Sequence, residues 1–562
     1  MNTQAQLNSQ GINSQGLGSK QNEQYSPKRL ALLWGLIFCG YFLFVLQWYS
    51  IGNLSAGWGD AFYQGSVNPL ISGATNWVIT LGRAFGSIMA GWLIAKVGHK
   101  YAVVTVLGLM ILSFPFLIVS QNEAWNSLSL AGGAQANQDN IAVAGFSLFI
   151  IFRIFLGIGG TTLITYTNSI IAKMNMTQRP KYMVANQFGF NAAAFFANIF
   201  FVIPGVAKEI TDDPRIWTGL LAGFLVLILV LLILYLIYGV EVVPRESKKL
   251  LASAESQIKF THVLKQSDTW KLCSLSAILI VSVIFINSSA MRTFIEQSPA
   301  NFQALVIDNV VFSKMATSMS GSNSYFWVWP MFTCSFMLGL LVGAFWLGSF
   351  AKTIFERRNY VFTIVALGYV FMMISLLSGY FGGYANPFAL AAMLIFICLS
   401  GACLWCVQPT ILSIPQQMER SNAKYMGIVA GLIWGVGYLG YTVAEASLSS
   451  IASYVDVFKF ANQINDSVQA IGSGLNFADA QDKFAQLDTS LIKTHETLGI
   501  TLMIVLYWVI LVAIFPIVYV LPKCGYRKQN GEFVLFTEKW SPFKLKMWNI
   551  NNKQFQIASH LN

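Results

Sequence analysis

Charge is what this chain has least of. Only 10% of its 562 residues are Asp, Glu, Lys or Arg, against about 25% in an ordinary soluble domain. Acids are the scarcer sign, 24 against 35 Lys and Arg. None lies in the middle of an apolar run, Glu445 and Glu241 coming nearest, and His99, His262, His495 and His560 also fall outside the runs. The usual groups for holding a proton deep in an apolar interior are therefore missing. Cysteine is sparse as well: seven residues, of which six sit in apolar runs and Cys524 just past the last. That placement excludes a disulfide framework. Cys403-x-x-Cys406 has no histidine near it and reads as two small apolar residues, not as a metal site. With no nucleophile–base pair, metal cluster or phosphate-cradling loop, the chain is expected not to be an enzyme and to need no cofactor.

What replaces charge is apolar length. Hydrophobic residues make up 55% of the chain, 43 of its residues are Phe, and the mean hydropathy is +0.57. Runs near the roughly 20 residues that cross a bilayer as helix recur at about 30–49, 72–95, 101–119, 142–172, 182–206, 216–240, 271–291, 324–350, 360–380, 387–411, 425–446 and 497–521. The fourth and eighth exceed a straight crossing and are expected to tilt or protrude. Twelve spans place both termini on one side, and most Lys and Arg then fall on that side, which the positive-inside rule makes cytoplasmic. The net charge of +11 is thus an attraction for anionic inner-leaflet lipid and not a nucleic-acid footprint. Residues 1–28, rich in Asn, Gln, Ser and Gly, read as a disordered cytoplasmic tail. Residues 241–270 read as a charged cytoplasmic connector and 447–496 as an external insertion. The basic, aromatic tail 522–562 either lies on the inner membrane surface or hangs loose.

The halves echo each other. Gly91-Trp92-Leu93-Ile94-Ala95-Lys96-Val97-Gly98-His99-Lys100 follows the second span, and Ala351-Lys352-Thr353-Ile354-Phe355-Glu356-Arg357-Arg358 follows the eighth. Lys181-Tyr182-Met183 opens the fifth span and Lys424-Tyr425-Met426 the eleventh. Such echoes describe a duplicated six-helix unit, spanning 29–240 and 271–521. The first turn, through Gly91, Leu93, Lys96, Gly98 and Lys100, resembles the loop motif of the major facilitator superfamily (MFS), with Ala95 in place of its acid. Arg153-x-x-x-Gly157 resembles that superfamily's fourth-span pattern. The resemblance implies an all-α polytopic membrane protein of twelve transmembrane helices in two six-helix pseudo-repeats, a monomer, moving a small solute by alternating access. The turn residues Gly91, Lys96, Gly98, Lys100, Lys352, Arg357 and Arg358 are expected to serve structure or gating, the basic ones facing helix C-termini. Gly82, Gly86 and Ala90 on the second span and Gly427, Gly431 and Gly435 on the eleventh repeat at four-residue spacing and are expected to let those two helices meet closely.

Polar groups inside the spans are the candidate solute contacts. Arg83 stands 13 residues before Lys96, about 20 Å from the inner boundary at helical rise. An arginine there faces an interior partner or cavity, and its planar fork suits phosphate or carboxylate. Arg153 is assigned to structure or gating. Asn191 falls near mid-depth on one face with Gln187 and Asn198. By resemblance the first, fourth, seventh and tenth spans line the cavity, which adds Tyr41, Tyr166, Asn287, Trp405 and Gln408 as substrate-binding candidates. Two arginines without intramembrane acids favour an anionic metabolite, phosphorylated or a carboxylic acid, moved by facilitated diffusion or exchange. Ser87 stands where sugar-phosphate and nitrate carriers of the superfamily set their cation, which keeps a neutral sugar, amino acid or drug as alternatives. A receptor built on the same scaffold is a further one.

Overall fold

The computed structural model describes residues 26–54, 69–113, 135–171, 179–203, 213–242, 263–296, 327–350, 357–414, 423–454, 489–521, 523–529 and 532–538, with a few single positions between them. The first half contributes α1 (Pro27–Asn53), α2 (Pro69–Val97), α3 (His99–Ile111), α4 (Gln135–Ile171), α5 (Arg179–Ile199) and α6 (Pro214–Tyr238). The second contributes α7 (Ser267–Ile284), α8 (Ser289–Glu296), α9 (Val328–Phe350), α10 (Arg357–Leu377), α11 (Pro387–Ser413), α12 (Ala423–Tyr454), α13 (Thr489–Val512) and α14 (Ile514–Val520). Eight helices among the described residues are long and apolar enough to cross a membrane. Each of the twelve expected spans contains helix among the described residues, the seventh divided between α7 and α8 and the twelfth between α13 and α14.

Local chemistry sets several of these boundaries. Ser26, Asp213 and Asn386 each cap a helix whose next residue is proline, and each side chain accepts a first-turn backbone N–H. The seventh span breaks at Phe285–Asn287, a 3-10 turn. There Asn287-Ser288-Ser289 interrupts the apolar run, and Ser288 Oγ accepts from the Met291 N–H at 3.2 Å to restart the helix as α8.

The duplication is visible in how the helices touch. A Cβ added to Gly82 would lie 2.6 Å from the Ile154 carbonyl oxygen, and one on Gly86 2.7 Å from that of Ile158, so α2 presses on α4 at backbone distance. In the second half Gly339 and Gly343 of α9 press in the same way on Cys398 and Ala402 of α11. Between the halves α2 packs along α12, and α5 along α9.

Three expectations change. Gly82 and Gly86 face α4, not α12. The α2–α12 contact is made instead by Gly431 and Gly435 against Ser87, Ala84 and Ile88. A small-residue stripe signals close approach without naming the neighbour, because every face of α2 is apolar enough to be buried. The eleventh span does not stop at 446 but runs to Tyr454, so the expected insertion 447–496 begins inside a helix. The segment after α14 is not loose over 523–529 and 532–538: β1 (Lys523–Gln529) pairs antiparallel with β2 (Glu532–Glu538), Lys523 opposite Glu538. These are the only strands among the described residues. Most of 1–28, most of the 241–270 connector, and 539–562 lie outside the described residues.

Candidate functional site

Arg83 is 2% exposed and sits in a cage of rings. Its guanidinium carbon lies 4.1 Å from the Tyr438 ring centre, 4.7 Å from Trp48, and 5.6 Å from both Phe44 and Phe190. These rings come from α12, α1 and α5, so both halves contribute. The aromatic faces supply the cation with attraction but no hydrogen-bond acceptor. Nε and Nη1 of Arg83 are buried without a partner among the described residues.

Beside Arg83 is a cavity of about 30 Å³, measured as space for the centre of a water-sized sphere. Tyr41, Ser87, Thr161, Thr165, Asn186, Phe190, Trp405, Trp434 and Tyr438 line it with Arg83 and Ile164. That volume holds a few waters and is too small for a metabolite, so the halves are closed over the site. Phe190 of α5 stacks on Trp405 of α11 across the halves at 5.5 Å and 21°, and Trp434 stacks on Tyr438 within α12 at 5.5 Å and 14°. The free polar groups on the wall are donors or hydroxyls: Arg83 Nε and Nη1, Trp405 Nε1, Ser87 Oγ and Thr161 Oγ1. Among the described residues no carboxylate lines the cavity.

Asn186, by contrast, is fully engaged. It accepts from Trp34 Nε1 at 2.8 Å and donates to Thr167 Oγ1 at 2.8 Å and Asn168 Oδ1 at 3.2 Å. It holds α1, α4 and α5 together at the cavity edge.

Of the residues expected to bind solute, Arg83, Tyr41 and Trp405 meet at the cavity. Asn191 follows Phe190 in α5, fully buried, with both side-chain polar atoms unpaired among the described residues. Gln408 lies one helical turn beyond Trp405 in α11, its Oε1 also buried and unpaired. Asn287 occupies the break in the seventh span, where Nδ2 donates to the Val283 carbonyl at 3.4 Å. Tyr166 is away from the cavity, packed against His99 with its backbone carbonyl 3.2 Å from His99 Nε2. The rings of Phe44, Trp48, Phe190, Trp434 and Tyr438 escaped sequence reasoning. Aromatics are so common here that only their position around Arg83 distinguishes them.

The basic end of the bundle is organised by caps. Gly98, at φ +85°, separates α2 from α3, and a Cβ there would lie 2.6 Å from Glu241 Oε1. The Glu241 carboxylate accepts from the backbone N–H groups of His99 and Lys100, placing a negative charge on the N-terminus of α3. The acid absent at Ala95 thus has a counterpart on the far side of the turn, delivered by the end of α6. His99 is buried, its ring held between Tyr235 Oη and the Tyr166 carbonyl. Arg358 reaches the carbonyls of Tyr519 and Leu521 at 3.5 and 3.4 Å, where α14 ends. Lys96 lies over the Trp92 ring at 4.7 Å, whereas Gly91 faces open space. Lys352 and the side chain of Arg357 fall outside the described residues, as does the surrounding of Gly427.

Toward the opposite end, Arg153 donates twice, through Nε at 3.0 Å and Nη2 at 2.8 Å, to the Thr75 carbonyl, tying α4 to α2. Close by in α2, Asn76 accepts from Trp48 Nε1 at 2.8 Å and donates to Tyr441 Oη at 2.8 Å and Glu445 Oε1 at 3.1 Å. Thr80 and Thr442 join one turn inward, oxygen to oxygen at 2.8 Å. Glu445, expected near the outer end of its helix, is 1% exposed with nine further residues of α12 beyond it.

A family model described as Mycoplasma MFS transporter matches residues 149–453. A major facilitator superfamily transporter of Mycoplasma pneumoniae is 27% identical, over 94% of this chain and 98% of its own length. One of Mycoplasma genitalium is 25% identical, over 77% of this chain and 85% of its own. Among solved structures, the nucleoside transporter NupG shares the fold at a TM-score of 0.51 and 12% identity, covering 86% of this chain and 99% of that one. The chain therefore belongs to the Mycoplasma MFS transporter family: it is a multi-pass membrane transporter of small-molecule solutes and not an enzyme.

Proposed function

We propose that this transporter carries a small anionic metabolite, a phosphorylated compound or an organic acid, by alternating access. The observation that carries the reading is Arg83: a buried guanidinium with two nitrogen donors unpaired among the described residues, on a cavity whose described wall offers no carboxylate. An acceptor-rich solute would pair those donors, and the fork of Arg83 suits two oxygens at once. Tyr41 and Trp405 flank the anion, and Asn191, Gln408, Asn287 and Tyr166 serve the wider path as the halves move. No acid lines that wall among the described residues, which supports movement by facilitated diffusion or exchange. The bundle works as a monomer in the cell membrane, its halves 29–240 and 271–521 rocking about the site. Both termini are cytoplasmic, and the basic face lies against anionic lipid.

One observation favours a neutral solute instead. Four rings already surround Arg83, so its charge is stabilised without a ligand. A thermal-shift screen of the purified chain against metabolites offered as matched pairs, with and without phosphate or carboxylate, separates the two. The anionic partner is expected to raise the melting temperature more in each responding pair. Stabilisation by the neutral partners alone overturns the proposal. So does accumulation in proteoliposomes that an uncoupler abolishes when no other ion gradient is present, for the diffusion or exchange part.

A further inference from the structure

The ring pairs beside Arg83 have a use that the anion alone does not explain. Phe190 and Trp405 stack across the two halves, so each loses its partner face when the halves part. A flat ring of the solute would restore both faces by entering between them. Stacking of a base on an aromatic side chain is sequence-tolerant and favourable, because every base has a π-face.

Unpaired polar groups sit on the helices that carry the same pair. Trp405 Nε1 is a donor without an acceptor, Gln408 Oε1 one turn along α11 is an acceptor without a donor, and Asn191, next to Phe190, has both kinds free. All three are 5% exposed or less. Leaving such groups unpaired is costly, and a ligand relieves the cost by presenting in-plane donors and acceptors. Carboxamides match the edge of a nitrogen heterocycle in this way, offering a donor and an acceptor side by side. A hexose needs partners for hydroxyls pointing around its whole rim. The one carboxamide on the closed cavity wall, Asn186, is already engaged on both atoms.

We infer that the solute is an anion carrying a flat nitrogen heterocycle, its ring received between Phe190 and Trp405 and its phosphate or carboxylate at Arg83. The inference rests on the anionic reading of Arg83 and narrows it from any small anion to a ring-bearing one. The carboxamides of Asn191 and Gln408 read the ring edge, and Trp405 Nε1 adds a donor.

The test uses the full-length purified protein and five probes: adenosine monophosphate, uridine monophosphate, adenosine, a hexose phosphate and inorganic phosphate. Affinity is read by calorimetry, and ring insertion by quenching of tryptophan fluorescence. At least one nucleoside monophosphate is expected to bind roughly tenfold or more tighter than the hexose phosphate, with quenching. Trp405→Leu should lower that affinity about tenfold while leaving hexose phosphate unchanged, and Trp405→Phe should retain most of it. If Trp405→Leu does not fold, Gln408→Leu and the probe ranking on the unsubstituted chain decide the matter. Hexose phosphate equal to or tighter than both monophosphates overturns the ring while leaving the anion reading intact. Adenosine as tight as adenosine monophosphate overturns the anion reading and with it the inference. Binding of neither monophosphate overturns the inference outright.

Discussion

Asn76 and Glu445 hold the two halves together: Nδ2 of the first, on α2, donates to Oε1 of the second, on α12, at 3.1 Å. The same amide reaches Tyr441, and Trp48 fixes its orientation by donating to Oδ1. Sliding α2 along α12 breaks the bonds to Tyr441 and Glu445 together, which makes the group a clasp.

Removing the clasp should therefore open that end. Glu445→Ala leaves Asn76 Nδ2 without its carboxylate, at a cost of about 1–3 kcal/mol. Ser449→Cys, buried in the closed chain, should then be modified several-fold faster by a soluble maleimide in purified protein. Ser450→Cys, exposed on the same helix, supplies the reference rate. An unchanged Ser449→Cys rate would remove the clasp from this account.

Substitutions at Arg83 separate anion binding from structure. Arg83→Gln should weaken an anionic ligand by roughly 10- to 100-fold and a neutral analogue hardly at all. Arg83→Lys keeps the charge but not the fork and should fall between. If Arg83 is structural, both variants lower folded yield and affect every ligand alike.

The glycine at the α2–α12 contact has less room than the one in the loop motif. A Cβ at Gly435 would lie 2.7 Å from Ile88 Cγ1 and 3.3 Å from the Ala84 carbonyl oxygen. Gly435→Ala is expected to destabilise the closed state by about 1–3 kcal/mol and to slow transport. Gly91→Ala meets nothing within 4 Å and lies inside α2, so it should not destabilise and is expected to gain about 0.5–1 kcal/mol of helix propensity. Thermal unfolding of both variants side by side checks the contrast.

At the basic end, Glu241→Gln should cost about 0.5–2 kcal/mol by weakening the cap on α3. Gly98→Ala should cost at least as much, since φ +85° penalises an L side chain by about 1–2 kcal/mol and its Cβ overlaps the Glu241 carboxylate. Chemical denaturation of the two variants provides the numbers. Equal stability of Gly98→Ala and the unsubstituted chain would contradict the geometry.

Orientation is checked from outside intact cells. A membrane-impermeant thiol reagent should label Ser473→Cys and spare Ser267→Cys, and the reverse result would invert the topology.

Hydropathy made the spans legible, because lipid and protein interior both demand apolar side chains over a fixed length. Arg83 was legible for the same reason, as a charge that length could not carry to water. Which neighbour a helix faces was not. Gly82 and Gly86 advertise a close contact, yet either α4 or α12 satisfies the pattern. Glu445 was misjudged because Ser447, Ser449 and Ser450 read as the start of a polar loop, whereas serines on a long helix can bond backwards within it, as Ser450 Oγ does to the Ala446 carbonyl at 2.7 Å. The ring cage could not be read at all, since its members come from helices remote in sequence.

The grip of Arg358 on the last carbonyls of α14 sets a schedule for making the protein. Those acceptors, at Tyr519 and Leu521, follow it by 161 and 163 residues, which a ribosome needs roughly 8–30 s to add. For most of that interval the arginine is already part of the chain but its carbonyl partners do not exist. The seal between the start of α10 and the end of α14 can therefore close only when synthesis is nearly over. A nonsense mutation shortly before Tyr519 would leave a chain with almost every span inserted and this seal permanently unmade.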